Sequence, residues 1–139
     1  MKVTADRLHI SGHYLLAVMS NIHLYAGGLS EISPSALLDD GAIDLWLFEG
    51  DTMADIIGRV VDLVSGKHVD SDKVRWVSFR ELMLESDQPL YVHVDAEPMP
   101  YQECCIDIKV IPKHLRLLVP RETPRELFVR HHDHKVKSM

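Results

Sequence analysis

Apolar residues along the chain recur most often at every second position, the period of a strand whose side chains alternate between two faces. Leu8 and Ile10 alternate with His9 and Ser11, Gly12-His13 offers a turn, and 14–19 reads as a returning strand. The stretch 43–48 is apolar at nearly every position except Asp44, as expected of a strand covered on both faces. Further strands are predicted over 74–79, 81–85, 90–95, 104–111 and 115–119. Gly, Pro, Asn and Asp punctuate them at intervals of roughly 8–15 residues, the rhythm of a sandwich or barrel.

One helix interrupts this rhythm over about residues 51–66. Met53, Ile56, Ile57, Val60, Val61 and Val64 fall at three- and four-residue steps and lay one apolar stripe along it. Asp51 or Thr52 is placed to cap its first turn, and Gly66 to end it in a left-handed conformation. Lys67 and His68 then lie near the negative end of the helix dipole. The polar face carries Asp55 and Asp62 with only Arg59, which does not suit anionic lipid, so the stripe is expected to pack into the core. From Arg121 the apolar rhythm weakens, with 127–129 as one last short strand. The chain therefore divides into a β-rich domain, 1–120, and a basic tail, 121–139.

Composition narrows the reading. With 139 residues, 46% apolar and 26% charged, the chain can bury one core and does not have the composition of a disordered segment. Its net charge of −6 argues against a nucleic-acid partner, which needs a basic face. From Arg121 onward five Lys or Arg face three acids, a net +2 that leaves −8 on the preceding residues. Such a tail is either a solvated end or a contact for an acidic partner or anionic lipid. Cys104 and Cys105 are adjacent, so they neither close a long loop nor make a zinc site, and they are expected as reduced core or strand residues of a cytosolic protein. No apolar run has the length of a membrane span, and no signal-peptide core follows Met1.

Candidate chemistry lies in two acidic segments. No G-x-x-x-x-G-K loop, G-x-G-x-x-G turn or nucleophile elbow is present, and Gly27-Gly28 is first of all a turn signal. His131, His132, Asp133 and His134 could hold a transition metal, but a chain end lacks the fixed support that such a site needs. Asp39-Asp40-Gly41, just before the strand 43–48, is either a turn with carboxylates capping backbone N–H groups or an oxygen site for Mg²⁺ or Ca²⁺. Asp95 and Glu97 stand two apart before Pro98. In an extended chain they would share one face, where one could accept a hydroxyl proton while the other orients it; otherwise they belong to an acidic strand-end turn.

Taken in order, these segments resemble the C-terminal domain of the diacylglycerol kinase catalytic family, which includes bacterial lipid kinases and sphingosine kinases. The marks are Asn21 with Gly27-Gly28, Pro34…Leu38-Asp39-Asp40-Gly41…Ile43-Asp44, Gly66-Lys67-His68, Glu85-Ser86-Asp87-Gln88-Pro89-Leu90 and Val94-Asp95-Ala96-Glu97-Pro98. The resemblance implies an antiparallel β-sandwich like that of NAD kinases, with one main helix, in an enzyme that phosphorylates a diacylglycerol-like lipid hydroxyl with ATP. It implies a structural Mg²⁺ held by Asp40 and the carbonyls of Leu37 and Ala42. It also implies Glu97 as proton acceptor with Asp95 as its partner, at a cleft facing an N-terminal nucleotide-binding domain. The family has glycine between those acids where this chain has Ala96, so a positive φ there predicts strain.

With no nucleotide motif, the chain reads as the C-terminal half of such a kinase, inactive alone. Its expected partners are lipid at a membrane surface, its own N-terminal domain and a second copy of itself, and its expected location is the cytoplasm, peripheral to the membrane. Segment 127–129 would return to the N-terminal domain, pair with another copy or be disordered. The rival readings are a sphingosine or NAD kinase-type half and a non-catalytic sandwich that binds lipid or a partner protein.

Overall fold

The computed structural model describes residues 1–25 and 30–129. In chain order the strands are β1 (Lys2–Ala5), β2 (Leu8–Ser11), β3 (Tyr14–Ser20), β4 (Leu24–Tyr25), β5 (Ser30–Glu31) and β6 (Ile43–Glu49). The helix α1 (Met53–Val64) follows, then β7 (Val74–Phe79), β8 (Glu81–Leu90), β9 (His93–Val94), β10 (Glu97–Pro98) and β11 (Glu103–Lys109). One sheet has the order β11-β8-β1-β2 and a second β3-β6-β7, while β4 pairs β5 and β9 pairs β10. Each of these pairings is antiparallel.

The two larger sheets face each other across a core of Val3, Ala5, Leu82 and Leu84 from one and Leu45, Leu47 and Phe79 from the other. This is the antiparallel sandwich that the period of two predicts. Strand β6 is buried from Asp44 to Phe48, and its alternation serves two cores. Leu45 and Leu47 enter the space between the sheets. Trp46 and Phe48 point the other way and join Ile32, with Val18, Val74 and Leu63 of α1 packed around them. The molecule thus has three layers, sheet on sheet and helix on the second sheet.

Several boundaries differ from the expectation. Strand β1 carries only Val3 and Ala5 as apolar signal, too little for a period to register, yet it lies between β2 and β8. Strand β8 runs to Leu90 because β11 pairs along it past an irregularity at 103–105. The predicted strand 90–95 breaks at 91–92 and resumes as β9. The predicted strand 115–119 is absent: among the described residues, 111–119 make no backbone–backbone hydrogen bond. Pro112 and Pro120, which bracket it, have no N–H to offer a ladder. Nor is 127–129 a strand; Leu127 ends a 3-10 turn, Arg125–Leu127, and its carbonyl accepts from Leu38 N–H at 2.9 Å.

The helix has the predicted caps but not the predicted burial. Thr52 Oγ1 accepts from Asp55 N–H at 3.2 Å while Asp55 Oδ2 accepts from Thr52 N–H at 2.9 Å, a capping box. Gly66 takes the left-handed conformation with φ 73°. The apolar stripe, however, faces outward, with Met53, Ile57, Val60, Val61 and Val64 between 52% and 72% exposed. Arg59 and Asp62 turn inward instead, paired at 3.0 Å, and Arg59 Nη1 donates to Ser71 Oγ at 3.1 Å. The sheet face below is already filled by Ile32, Trp46, Phe48 and His68, and Ser71 supplies the polar partner that draws Arg59 under the helix. No described helix is long and apolar enough to cross a membrane.

Candidate functional site

The aspartate turn is built from below by His23. Its carbonyl accepts from Ile32 N–H at 2.8 Å, and its ring Nε2–H donates to the Ala36 carbonyl at 2.7 Å, locking the loop that leads to Leu37. Gly41 then adopts φ +74°, and a Cβ added there would lie 2.9 Å from Pro112 Cβ, so glycine is required for both backbone and space. Asp40 Oδ1 accepts from Ala42 N–H at 2.9 Å, and Asp39 Oδ1 accepts from Val129 N–H at 2.7 Å. The capping role of this turn is therefore present, and Asp39 additionally ties down the chain after β11.

The same turn fits a hard cation by its donor chemistry. Asp40 keeps a second carboxylate oxygen, and the nearby carbonyls of Leu37 and Ala42 are also oxygens, the ligand type that Mg²⁺ takes. Among the described residues no three His, Cys, Asp or Glu gather into a metal-holding cluster, so such a site would rest on carbonyls and water besides Asp40.

Beneath the turn lies a buried polar group that the sequence analysis did not single out as a site. Asp44 is 5% exposed on the helix-covered face of β6, and its Oδ2 has no hydrogen-bond partner. Burial is the main reason its carboxyl is pushed above the ordinary value of 3.8; the charge of Asp40 adds to this, while hydrogen bonding from Trp76, Ser33 and Ser78 opposes it. Ser33 Oγ also accepts from Trp46 Nε1–H at 2.5 Å, and His68 Nε2–H donates to the Ile32 carbonyl at 3.0 Å. His68 Nδ1 is buried without a partner. The available signal was Asp44 itself, the one acid in an otherwise apolar strand.

Asp95 and Glu97 stand on a different element. Strands β9 and β10 form a hairpin in which Glu97 pairs with Val94 and Pro98 with His93, leaving Asp95-Ala96 as a two-residue turn. Both turn residues have positive φ, 49° and 69°, as a type I′ hairpin demands. The expected shared face along an extended strand is thereby corrected, because the chain reverses between the two acids and the period of two does not carry across a turn. Both acids are exposed, and among the described residues neither carboxylate has a hydrogen-bond or ion-pair partner.

The other candidates contribute less. Cys104 and Cys105 lie on β11 as expected of strand residues but are exposed, not core. Desolvation, then Asp107 and Glu85, push the Cys105 thiol up, which lowers its thiolate fraction. An open depression of about 620 Å³ lined by Lys2, His13, Glu85 and Asp87 among others holds none of the predicted site residues. Gly27-Gly28 and the cluster of His131, His132, Asp133 and His134 lie outside the described residues.

Residues 1–119 match the family described as the YegS C-terminal NAD kinase beta sandwich-like domain. A protein of Shewanella frigidimarina named "Probable lipid kinase YegS-like" is 25% identical over 122 residues, which are 88% of this chain and 38% of its own length. One of the same name from Xanthomonas euvesicatoria pv. vesicatoria is 34% identical over 104 residues, 71% of this chain and 32% of its own. The Escherichia coli O1:K1 protein named "Probable lipid kinase YegS" is 26% identical over 125 residues, 88% and 39%. The chain thus spans no more than 39% of the length of these relatives. In fold it is similar to a Bacillus anthracis str. Sterne chain described as "a putative diacylglycerol kinase", with a TM-score of 0.61 at 21% identity over 80% of this chain and 36% of that one.

Proposed function

The chain belongs to the YegS C-terminal NAD kinase beta sandwich-like domain family, and on that premise we propose that it is the acceptor-side half of an ATP-dependent lipid kinase. The reading is that a partner half with the nucleotide cradle brings ATP, while this half presents the lipid hydroxyl. Support for a longer enzyme comes from the relatives named lipid kinases, of which this chain spans 38%, 32% and 39%. The carrying observation at the site is the tight hairpin turn that holds Asp95 and Glu97 exposed, with carboxylates committed to no other group among the described residues.

In this reading Glu97 accepts the proton of the lipid hydroxyl as it attacks, and Asp95 orients that hydroxyl. Phosphoryl transfer asks little covalent chemistry of a protein; it needs groups positioned and charge neutralised. Mg²⁺ at Asp40, with the carbonyls of Leu37 and Ala42, would supply positive charge and rigidity to the turn. The acceptor class is a diacylglycerol-like lipid.

The test is phosphate transfer from ATP to diacylglycerol dispersed in detergent, by the longer protein that contains this chain. Glu97→Gln is expected to lower kcat by about 10²–10⁴-fold, the range of a lost general base, with unchanged thermal unfolding. Unchanged kcat removes Glu97 from the mechanism. The 139-residue chain by itself is expected to transfer nothing.

A further inference from the structure

Charge in this chain changes sign at one point. Residues 1–110 hold eight Lys or Arg against eighteen Asp or Glu, a net −10, while 111–139 hold seven against three, a net +4. Between Ile111 and Arg121 there is no acid at all, and Lys113, Arg116 and Arg121 are interleaved with large apolar residues. Leu115, Leu117, Leu118 and Val119 are 75%, 72%, 104% and 52% exposed. Four large apolar side chains within five residues, all facing water, form a patch that soluble surfaces rarely leave uncovered.

This segment is held out by anchors at both ends. Pro112 packs on Gly41, close enough that an added Cβ would meet it at 2.9 Å. After the loop, Leu127 accepts from Leu38 N–H at 2.9 Å and Val129 N–H donates to Asp39 at 2.7 Å. Both ends are thus tied to the one aspartate turn, the arrangement of a compact surface loop whose ends lie close together. Between the anchors, 113–119 have no backbone hydrogen bond among the described residues, and the side chains of Leu117 and Leu118 are 72% and 104% exposed.

We propose that this loop docks the domain onto an anionic lipid surface, with Leu117 and Leu118 entering the interface and Lys113, Arg116 and Arg121 meeting lipid phosphates. The choice of a bilayer as occupant rests on the lipid kinase reading, which it deepens by naming the face that meets the membrane. Interleaved cations and large apolar residues are the composition of an interfacial segment. Pairing of this segment with its own copy would set like charges against each other. The acidic remainder of the molecule is repelled from an anionic surface, so the loop's opposite charge also orients the approach. Docking there brings the aspartate turn, to which the loop is tied, next to the lipid.

Co-sedimentation of the chain with vesicles tests this. Binding is expected with phosphatidylcholine mixed with phosphatidylglycerol, weakened by salt, and not with phosphatidylcholine alone. Arg116→Ser should weaken it about fivefold, and Leu117→Ser with Leu118→Ser about tenfold or more, both with unchanged thermal unfolding, since these side chains are exposed. Equal sedimentation with the two vesicle types, none with either, or variants that bind like the parent chain overturn the inference. So does concentration-dependent self-association that the leucine variants abolish, which would make a second copy the occupant. Transfer to detergent-dispersed diacylglycerol by the longer protein, without vesicle binding by this chain, sinks this inference alone; vesicle binding by this chain with no transfer by the longer protein sinks the kinase reading alone.

Discussion

Ala96 has φ 69° in the turn between β9 and β10, where its Cβ crowds the following carbonyl. Glycine removes that clash but gives the unfolded chain more freedom, so Ala96→Gly is expected to stabilise the domain by about 1 kcal/mol net. Urea unfolding measures it, and a loss of stability would mean that the turn does not need positive φ. Asp44 gives a pH signature at the same scale. Its folded carboxyl is raised above the ordinary 3.8, first by burial and then by the charge of Asp40, so the folded state holds its proton more tightly than the unfolded state. Its contribution to stability is therefore greatest below pH 3.8 and is lost as pH rises through the folded value. Asp44→Asn should remove that fall, so the stability difference between variant and parent grows with pH in this window and is level above it. A difference constant throughout would place Asp44 in water. Both residues were legible as oddities, an alanine where the family has glycine and an acid in an apolar strand. The burial that raises Asp44 was not, because it depends on what covers β6.

At the scale of elements, α1 is the instructive case. Its caps follow from local chemistry: Thr52 and Asp55 satisfy backbone N–H groups that any helix start leaves open. Thr52→Ala should cost about 1 kcal/mol. Which face is buried depends on a neighbour, and here the neighbour holds Ser71 for Arg59 and leaves the apolar stripe outside. Val60→Ser and Ile57→Lys should consequently change stability by no more than about 0.5 kcal/mol. Leu63→Ala, on the side that packs against Ile32, Trp46 and Phe48, should cost about 2 kcal/mol. Chemical denaturation of the four variants separates the two faces, and a large loss at Val60 would restore the expected buried stripe. Strand β6 shows the opposite outcome, since a strand apolar on both faces needs two layers and the fold supplies them.

For the whole molecule, the aspartate turn is the joint. It precedes β6, carries the oxygen donors expected of a cation site, and holds Pro112, Leu127 and Val129. A cation that binds only the folded chain adds stability with its concentration, about 2.7 kcal/mol at a hundred times its Kd. Mg²⁺ is therefore expected to raise the unfolding temperature, chelator to reverse the rise, and Asp40→Asn to abolish it. No shift would leave Asp40 as a cap for Ala42 alone. A stiffer turn would also steady both ends of the loop 113–126.

What the sequence determined alone was whatever rests on neighbours along the chain. A period of two yields strands, one apolar stripe a helix, Gly66 and Thr52 its limits, and the order of short motifs a family, because each depends on local backbone and side-chain preference. The tertiary structure decided what depends on residues far apart. It turned α1 inside out, left 115–119 without a strand partner and tied 127–129 to Asp39. It also reversed the chain between Asp95 and Glu97, because pairing His93–Val94 with Glu97–Pro98 leaves only two residues for the turn. Burial, pairing and charge contact all require a second surface, which the order of residues does not state.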